Sequence, residues 1–359
     1  MANTNVEKSY SKRSKRWKIT LVLLIVALVV TIIVALNIGY APISFSEILS
    51  ILGNQFPFLN NVIDPNSFST VNQGIIMQIR FPRVIAGALI GAGLAASGVL
   101  YQGVFKNPMA DPFVLGVSSG AVLGAGLAIV FASGLSLLGI PIVQACAFAG
   151  GLITIFIVFN ISKVGNRVSD MTLLLSGIAI TIFLSAIFQI LQVTSQNVKL
   201  HALVTWLIGG ISNITWMDIF SIMPFILIGI IISYFYTRDL NMIAFGEDTA
   251  QHLGVNTDQT KKIVLILGSL MASAAVSISG LIGFVGLMIP HITRLIMGPD
   301  HRILLPASVV VGAIFLVICD ALARVVTGAG ELPVGVITAL AGGPFFIFLL
   351  RRRKLNYKM

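Results

Sequence analysis

The chain has 359 residues, of which 57% are hydrophobic and only 10% charged, and its formal net charge is +10. Soluble domains carry about 25% charged residues, so this composition excludes a soluble domain and describes a polytopic helical membrane protein. The positive balance does not mark nucleic-acid binding either. Lys and Arg gather at the ends of apolar runs, as membrane orientation requires, rather than on one polar face.

Residues 1–18 form a basic tail, with Lys12, Arg13, Lys15, Arg16 and Lys18 placed just before the apolar run 19–38. A signal peptide would show an apolar core of about 7–15 residues; this run has the roughly 20 that cross a bilayer, and reads as a first span leaving the cytoplasm. Residues 39–78 are turn-rich, contain Glu47, Pro57, Asp64 and Pro65 and very few cations, and are expected outside. Spans follow at 84–105, 113–131 and 140–159, leading to an inner loop, 162–170, with Lys163 and Arg167. The span 171–194 goes out to the outer segment 199–218, where Trp206 and Trp216 have interfacial placement, and 219–236 returns. Residues 238–262 make the longest inner loop, and 263–279 leads out again. Pro290, His291 and Arg294 interrupt 280–297, which reads as a bent outer turn and a short return helix. Span 304–323, an outer turn at 324–333 and span 334–350 end at Arg351, Arg352, Arg353 and Lys354. The expectation is an all-α fold of about ten spans with both termini in the cytoplasm.

Ser97-Gly98, Pro108 and Gly116 recur at the same mutual spacing as Ser279-Gly280, Pro290 and Gly298. The first set runs inward and the second outward, which points to an inverted-topology repeat, a common plan of transporters. Gly87, Gly91 and Ala95, then Gly116, Gly120 and Gly124, recur in helical steps; tight helix packing explains them more simply than pore lining. Cys146 and Cys319 sit inside apolar runs and behave as small hydrophobes.

No phosphate-binding loop of the G-x-x-x-x-G-K-[ST] kind occurs, no metal-ligand set is visible, and no catalytic constellation stands in mid-span. An ion-coupled secondary transporter would show buried carboxylates or histidines in its spans. The one candidate, Asp320, lies four residues before Arg324, and a local ion pair accounts for it. Two features break the charge pattern. Arg80, Arg83 and Arg324 fall on the outer side, against the inside bias, and suggest a positive rim that docks carboxylates of an external partner. The stretch 246–254 in the long inner loop has helical character, too polar for the bilayer, and suits a lever held by a cytoplasmic partner.

Five ordered motifs then carry a resemblance. They are Arg80-x-Pro82-Arg83; the run from Ser97-Gly98 through Gln102, Asn107-Pro108, Ala110, Pro112 and Leu115-Gly116 to Gly120-Ala121; Gly246-x(3)-Ala250-x(2)-Leu253-Gly254-Val255; the run from Gly280 through Phe284-Val285-Gly286-Leu287 to Pro290-His291 and Arg294; and Glu331-Leu332-Pro333-x-Gly335 through Thr338-Ala339 to Pro344. From about residue 19 onward the chain resembles the BtuC-like permease family of ATP-driven, type II importers for ferric siderophores, haem and cobalamin. The resemblance implies a single permease domain over 19–359, with a coupling-helix loop at about 239–262. It also implies a second permease copy or paralogue, a cytoplasmic ABC ATPase dimer, an external binding protein, a cell-membrane location in contact with lipid, and no cofactor or catalytic residue. By position, Arg80, Arg83 and Arg324 would receive the binding protein. Gly246, Glu247, Ala250, Leu253 and Gly254 would rest on the ATPase, and Ser169 and Asp170 would fall at the cytoplasmic gate. Asp170 departs from the small hydroxyl residues expected there. Ferric siderophore is the expected substrate, with haem and cobalamin as alternatives.

Overall fold

Hydrocarbon offers no partner to a free backbone N–H or C=O, so each apolar stretch closes its hydrogen bonds as a helix. This computed structural model describes residues 2–39, 41–55, 68–164, 167–326 and 331–356, with side chains for all of these except 2–14, 164, 167–168, 350 and 352–356. The expectations for Pro57, Asp64 and Pro65, and for the side chains of Lys12, Arg13, Arg167, Arg352, Arg353 and Lys354, lie outside the described residues.

Among the described residues, seven helices are long and apolar enough to cross a membrane and three shorter apolar helices join them, matching the ten expected stretches one for one. In chain order they are α1 (Ala2–Asn37), α4 (Phe81–Val104), α5 (Val117–Phe131), α6 (Ile142–Ile161), α7 (Asp170–Thr194), α9 (Trp216–Phe235), α12 (Thr257–Ser279), α13 (Val285–Met297), α14 (His301–Val326) and α15 (Val334–Asn356). Between them stand five short helices: α2 (Phe45–Asn54), α3 (Thr70–Gly74), α8 (Asn197–Ile208), α10 (Thr237–Ala244) and α11 (Glu247–His252). Two tight antiparallel hairpins, Ser136–Leu137 with Ile140–Pro141 and Lys163–Val164 with Arg167–Val168, close the α5–α6 and α6–α7 connections.

Helix continues where the sequence pattern ends in three places. The basic stretch before residue 19 is part of α1. Helix α3 runs through a π turn, Ile75–Arg80, into α4, making one helix of 35 residues. The outer segment 199–218 begins with α8, whose Leu203 is buried with Val122, Ile129 and Phe188. Beyond α8, Gly210 N–H donates to Ser279 O (2.8 Å) and Gly335 N–H to Gly209 O (3.2 Å), which stitches this segment to the break after α12 and to the start of α15.

Helix α4 is the centre of the bundle, packed on α14, α12, α13 and α9. Small residues permit this. A Cβ on Gly91 would stand 2.2 Å from Gly312 O of α14, and one on Gly120 only 2.4 Å from Gly150 O of α6, so both glycines are required by backbone approach. Against α12, Ser97 Oγ donates to Gly268 O (2.7 Å) and Tyr101 shares a hydrogen bond with Ser269 (2.6 Å). The stripes of small residues are therefore packing surfaces. An internal symmetry shows in these contacts: α4 packs on α14 as α12 packs on α6, and on α13 as α12 packs on α5. The matched spacing does not extend to local structure, since Pro108 lies in the turn after α4 whereas Pro290 lies inside α13.

Candidate functional site

The residues singled out by sequence gather at opposite ends of the bundle. At one end, Pro82 has no N–H to give and its ring would collide with the carbonyl four residues back. The preceding turn widens to accommodate it: Ile75–Arg80 is π-helical and Phe81 N–H bonds to Ile76 O. The bulge turns Arg80 toward the end of α1, where its guanidinium donates to Leu36 O (2.9 Å) and, beyond the helix, to Ala41 O (2.5 Å). Gly39 leaves the space for it, since a Cβ there would stand 2.7 Å from Arg80 Cζ.

Arg324 completes the same cap by donating to Ile38 O (2.7 Å). Carbonyls at a helix C-terminus lack partners and carry partial negative charge, and the two guanidinium groups supply donors to different ones, Arg80 to Leu36 O and Arg324 to Ile38 O. Arg83 Nε meets Asp320 Oδ1 at 2.9 Å, its Nη1 meets Glu331 Oε2 at 2.6 Å, and Arg324 Nε lies 3.2 Å from Asp320 Oδ2. The local ion pair read from the 320/324 spacing is present, and Arg83 is added to it.

Arg80, Arg83 and Arg324 do come together, but they are only 5%, 5% and 7% exposed and are engaged within the chain. The carbonyls at the end of α1 engage Arg80 and Arg324, and Asp320 engages Arg83 and Arg324. Glu331 is the exposed member of the cluster, its side chain 43% accessible.

At the other end, α10 and α11 form a short helical pair. Gly246 (φ +122°) breaks the chain between them and Gly254 (φ +88°) ends the second, conformations that an L side chain resists. Ala250 is fully buried with Ile243 and Val255, while Leu253 is 66% exposed and Phe245 84%. Helix α10 is fastened to the foot of α14: Asn241 Nδ2 donates to Asp300 Oδ1 (2.8 Å), and His301 N–H donates to Asn241 Oδ1 (2.9 Å). Asp300 in turn holds Arg302 through two bonds of 3.0 and 2.7 Å. Burial alone would push the Asp300 carboxyl up, but the bonds from Arg302 and Asn241 outweigh it and bring the pKa to about 2, against an ordinary 3.8. The depressed value means that this contribution to stability is whole above about pH 4 and is lost as pH falls through 2. Asp300→Asn is expected to flatten the decline of the thermal midpoint between pH 4 and pH 2 in detergent-solubilised protein; a slope equal to that of the parent would contradict the assignment.

Ser169 and Asp170 open α7, Ser169 at the N-cap and Asp170 in the first turn, where a carboxylate is favoured by the helix dipole. Thr172 Oγ1 donates to Ser169 O (2.9 Å) and Ser162 O (3.1 Å), tying this turn to the end of α6. Asp170 Oδ1 accepts from Lys261 Nζ at 2.9 Å, and the same ammonium meets Glu247 Oε1 at 2.7 Å. Lys106, in the turn after α4, reaches Glu247 Oε1 at 2.9 Å. Burial works to raise the Glu247 carboxyl, but the hydrogen bonds from Lys261 and Lys106 prevail and hold it below the usual range. The structure thus brings Glu247 and Asp170 together through Lys261, a residue that sequence reasoning missed. Phe245 was missed as well, although Gly246 stood beside it, and Glu331 was named only as the first residue of the Glu-Leu-Pro motif, with no role. Among the described residues no three His, Cys, Asp or Glu side chains gather as a metal set.

A profile of the FecCD transport family matches residues 27–352. The chain is 45% identical over 284 residues to the cobalamin import system permease protein BtuC of Halobacterium salinarum, covering 79% of this chain and 75% of that one. It is 39% identical over 281 residues to the hemin transport system permease protein HmuU of Yersinia pestis, covering 78% and 84%. Other relatives are named for iron(3+)-hydroxamate import in Bacillus subtilis and for molybdate import in Haemophilus influenzae. Among solved structures, an inward-facing metal-chelate type ABC transporter superposes with a TM-score of 0.80 at 33% identity, covering 93% of this chain and 99% of that one.

Proposed function

The chain belongs to the FecCD transport family of ABC importer permeases, and from that premise we propose that it carries ferric siderophores inward across the cytoplasmic membrane. The observation that carries the reading is the similarity, over 93% of the chain, to a metal-chelate type ABC transporter. The permease works with a second copy or paralogue, a cytoplasmic ABC ATPase dimer and an external binding protein, and both of its termini are cytoplasmic. Cobalamin is the second reading, favoured by the 45% identity to the cobalamin permease of Halobacterium salinarum.

In this reading the Arg80 end is the outer one, and the binding protein docks there on Arg80, Arg83 and Arg324. Glu331, exposed and bound to Arg83, marks where an incoming carboxylate would exchange. The Glu247 end is cytoplasmic. Gly246, Glu247, Ala250, Leu253 and Gly254 couple to the ATPase, and Ser169 and Asp170 belong to the gate. Asp320 is already paired with Arg83 and Arg324, which leaves its carboxylate a structural role rather than an ion-coupling one.

The test is uptake in a deletion strain complemented with this chain, using labelled iron on a hydroxamate siderophore, labelled haem and labelled cobalamin. Siderophore-iron uptake that disappears when the cognate ATPase is deleted supports the proposal. Rescue by cobalamin alone transfers it to the second reading, and uptake that survives loss of the ATPase overturns the ABC mechanism in favour of an ion-coupled carrier.

A further inference from the structure

We propose that Lys261 is a positioning residue that links the ATPase-contacting helix α11 to the gate segment at the start of α7 by holding one cation between their carboxylates. The proposal rests on the reading of α11 and of residues 169–170 given above.

The four charges form a chain, Lys106–Glu247–Lys261–Asp170, with successive separations of 2.9, 2.7 and 2.9 Å. They come from four different parts of the fold: the turn after α4, α11, the foot of α12 and the first turn of α7. Two ammonium groups face two carboxylates, so the chain is neutral as a whole. Its members are not equivalent, however. Lys261 is 8% exposed and rooted in α12, which packs against α4, α6 and α9 in the core, whereas Glu247 and Asp170 are about one-third exposed. The cation is therefore fixed to the scaffold. Its two acceptors lie on separate short elements at the edge of that core: a six-residue helix between two positive-φ glycines, and a helix start that follows a hairpin of two-residue strands.

The alternatives open to each carboxylate differ as well. Glu247 has a second cation in Lys106, while among the described ion pairs Asp170 has Lys261 alone. A displacement of α11 that turns Glu247 onto Lys106 leaves Lys261 wholly to Asp170; a displacement toward Lys261 draws the cation off the gate. A buried ammonium must keep a carboxylate partner, because desolvation without one is costly. Motion at one acceptor is thus felt at the other, and by linkage the effect is reciprocal. This also accounts for a carboxylate at position 170, where the family resemblance leads one to expect a small hydroxyl.

The experiment uses the full transporter complex in proteoliposomes and reads the gate without needing the substrate. Ser169→Cys is labelled with a membrane-impermeant thiol reagent from the ATPase side, with and without ATP and vanadate. Parent protein is expected to change its labelling rate on the order of tenfold between the two states, within the usual range of coupling. In Lys261→Met the ATPase still binds and hydrolyses ATP, but the change shrinks to less than about twofold; Lys261→Arg, which keeps the cation, responds like the parent. An undiminished response in Lys261→Met overturns the proposal. Should that variant fail to assemble, Asp170→Asn is read in the same way, loss of the response supporting the link and retention refuting it. A parent protein that shows no response at position 169, or does not bind the ATPase, instead refutes the reading on which the proposal rests.

Discussion

Asp320→Ala is expected to destabilise the folded protein by about 3–5 kcal/mol, the cost of leaving a buried ionic partner uncompensated. Asp320 is 1% exposed and faces two guanidinium groups that are themselves nearly excluded from solvent. Without its carboxylate, Arg83 keeps only the exposed Glu331 and Arg324 keeps only backbone carbonyls. The loss falls on the pairing of α4 with α14, since the bonds from Arg80 and Arg324 to Leu36 O and Ile38 O at the end of α1 do not involve Asp320. Glu331→Gln provides the contrast: its side chain is 43% exposed, and solvent screening limits the pair to about 0–1 kcal/mol. The measurement is the thermal midpoint of the detergent-solubilised protein. Replacing Arg83 and Asp320 together by Met should cost less than the sum of the single changes, since no charge of that pair is then stranded. Equal midpoints for Asp320→Ala and Glu331→Gln would show that the buried cluster between α4 and α14 does not stabilise the fold.

The spans were legible in the sequence because apolar runs of fixed length, ended by Lys and Arg, answer to one dominant force. All ten became helices, most of them within about six residues of their expected limits, although α1 begins at Ala2 rather than at 19; even the interrupted 280–297 did so, its break at 280–284 preceding α13 as the Pro and Gly placement suggested. Helix α8 and the extension of α4 back to Thr70 were not legible. Their residues are mixed in polarity, and packing on α5 or relief of the Pro82 clash decides their shape rather than a hydrophobic period. The arginines show the same division. That Arg80, Arg83 and Arg324 share one end followed from topology, but their burial depends on partners 44, 237 and 286 residues away in sequence. At the opposite end the bounding glycines announced α11, yet Lys261 was hidden among the six other charged residues of the loop 238–262, and only the fold brings it to Asp170. Local pattern fixes elements; pairings across elements need three dimensions.

Phe245→Asp and Leu253→Asp are each expected to weaken binding of the ATPase by about 2 kcal/mol, roughly thirtyfold, and to abolish uptake while leaving the fold intact. Exposed apolar side chains are ordinary on helices that face lipid, and many occur here. Phe245 and Leu253 are different, because they flank a six-residue helix in a polar segment outside every candidate span. There a large apolar group turned to water marks a contact surface. They are 84% and 66% exposed, with Ala250 fully buried between them in sequence. One face of the unit is therefore held by Ile243 and Val255, and the other is left for a partner. Because neither side chain contributes to that internal packing, its replacement should move the thermal midpoint of the isolated permease by no more than about 0.5 kcal/mol equivalent. Ala250→Asp should do the reverse, lowering stability before binding is tested, since it buries a charge without a partner. Affinity is read by titrating labelled ATPase onto the permease in nanodiscs, and uptake in the complemented deletion strain. Unchanged affinity in both Phe245→Asp and Leu253→Asp would mean that the ATPase grips elsewhere. The charge chain through Glu247 would then have no lever to pull it.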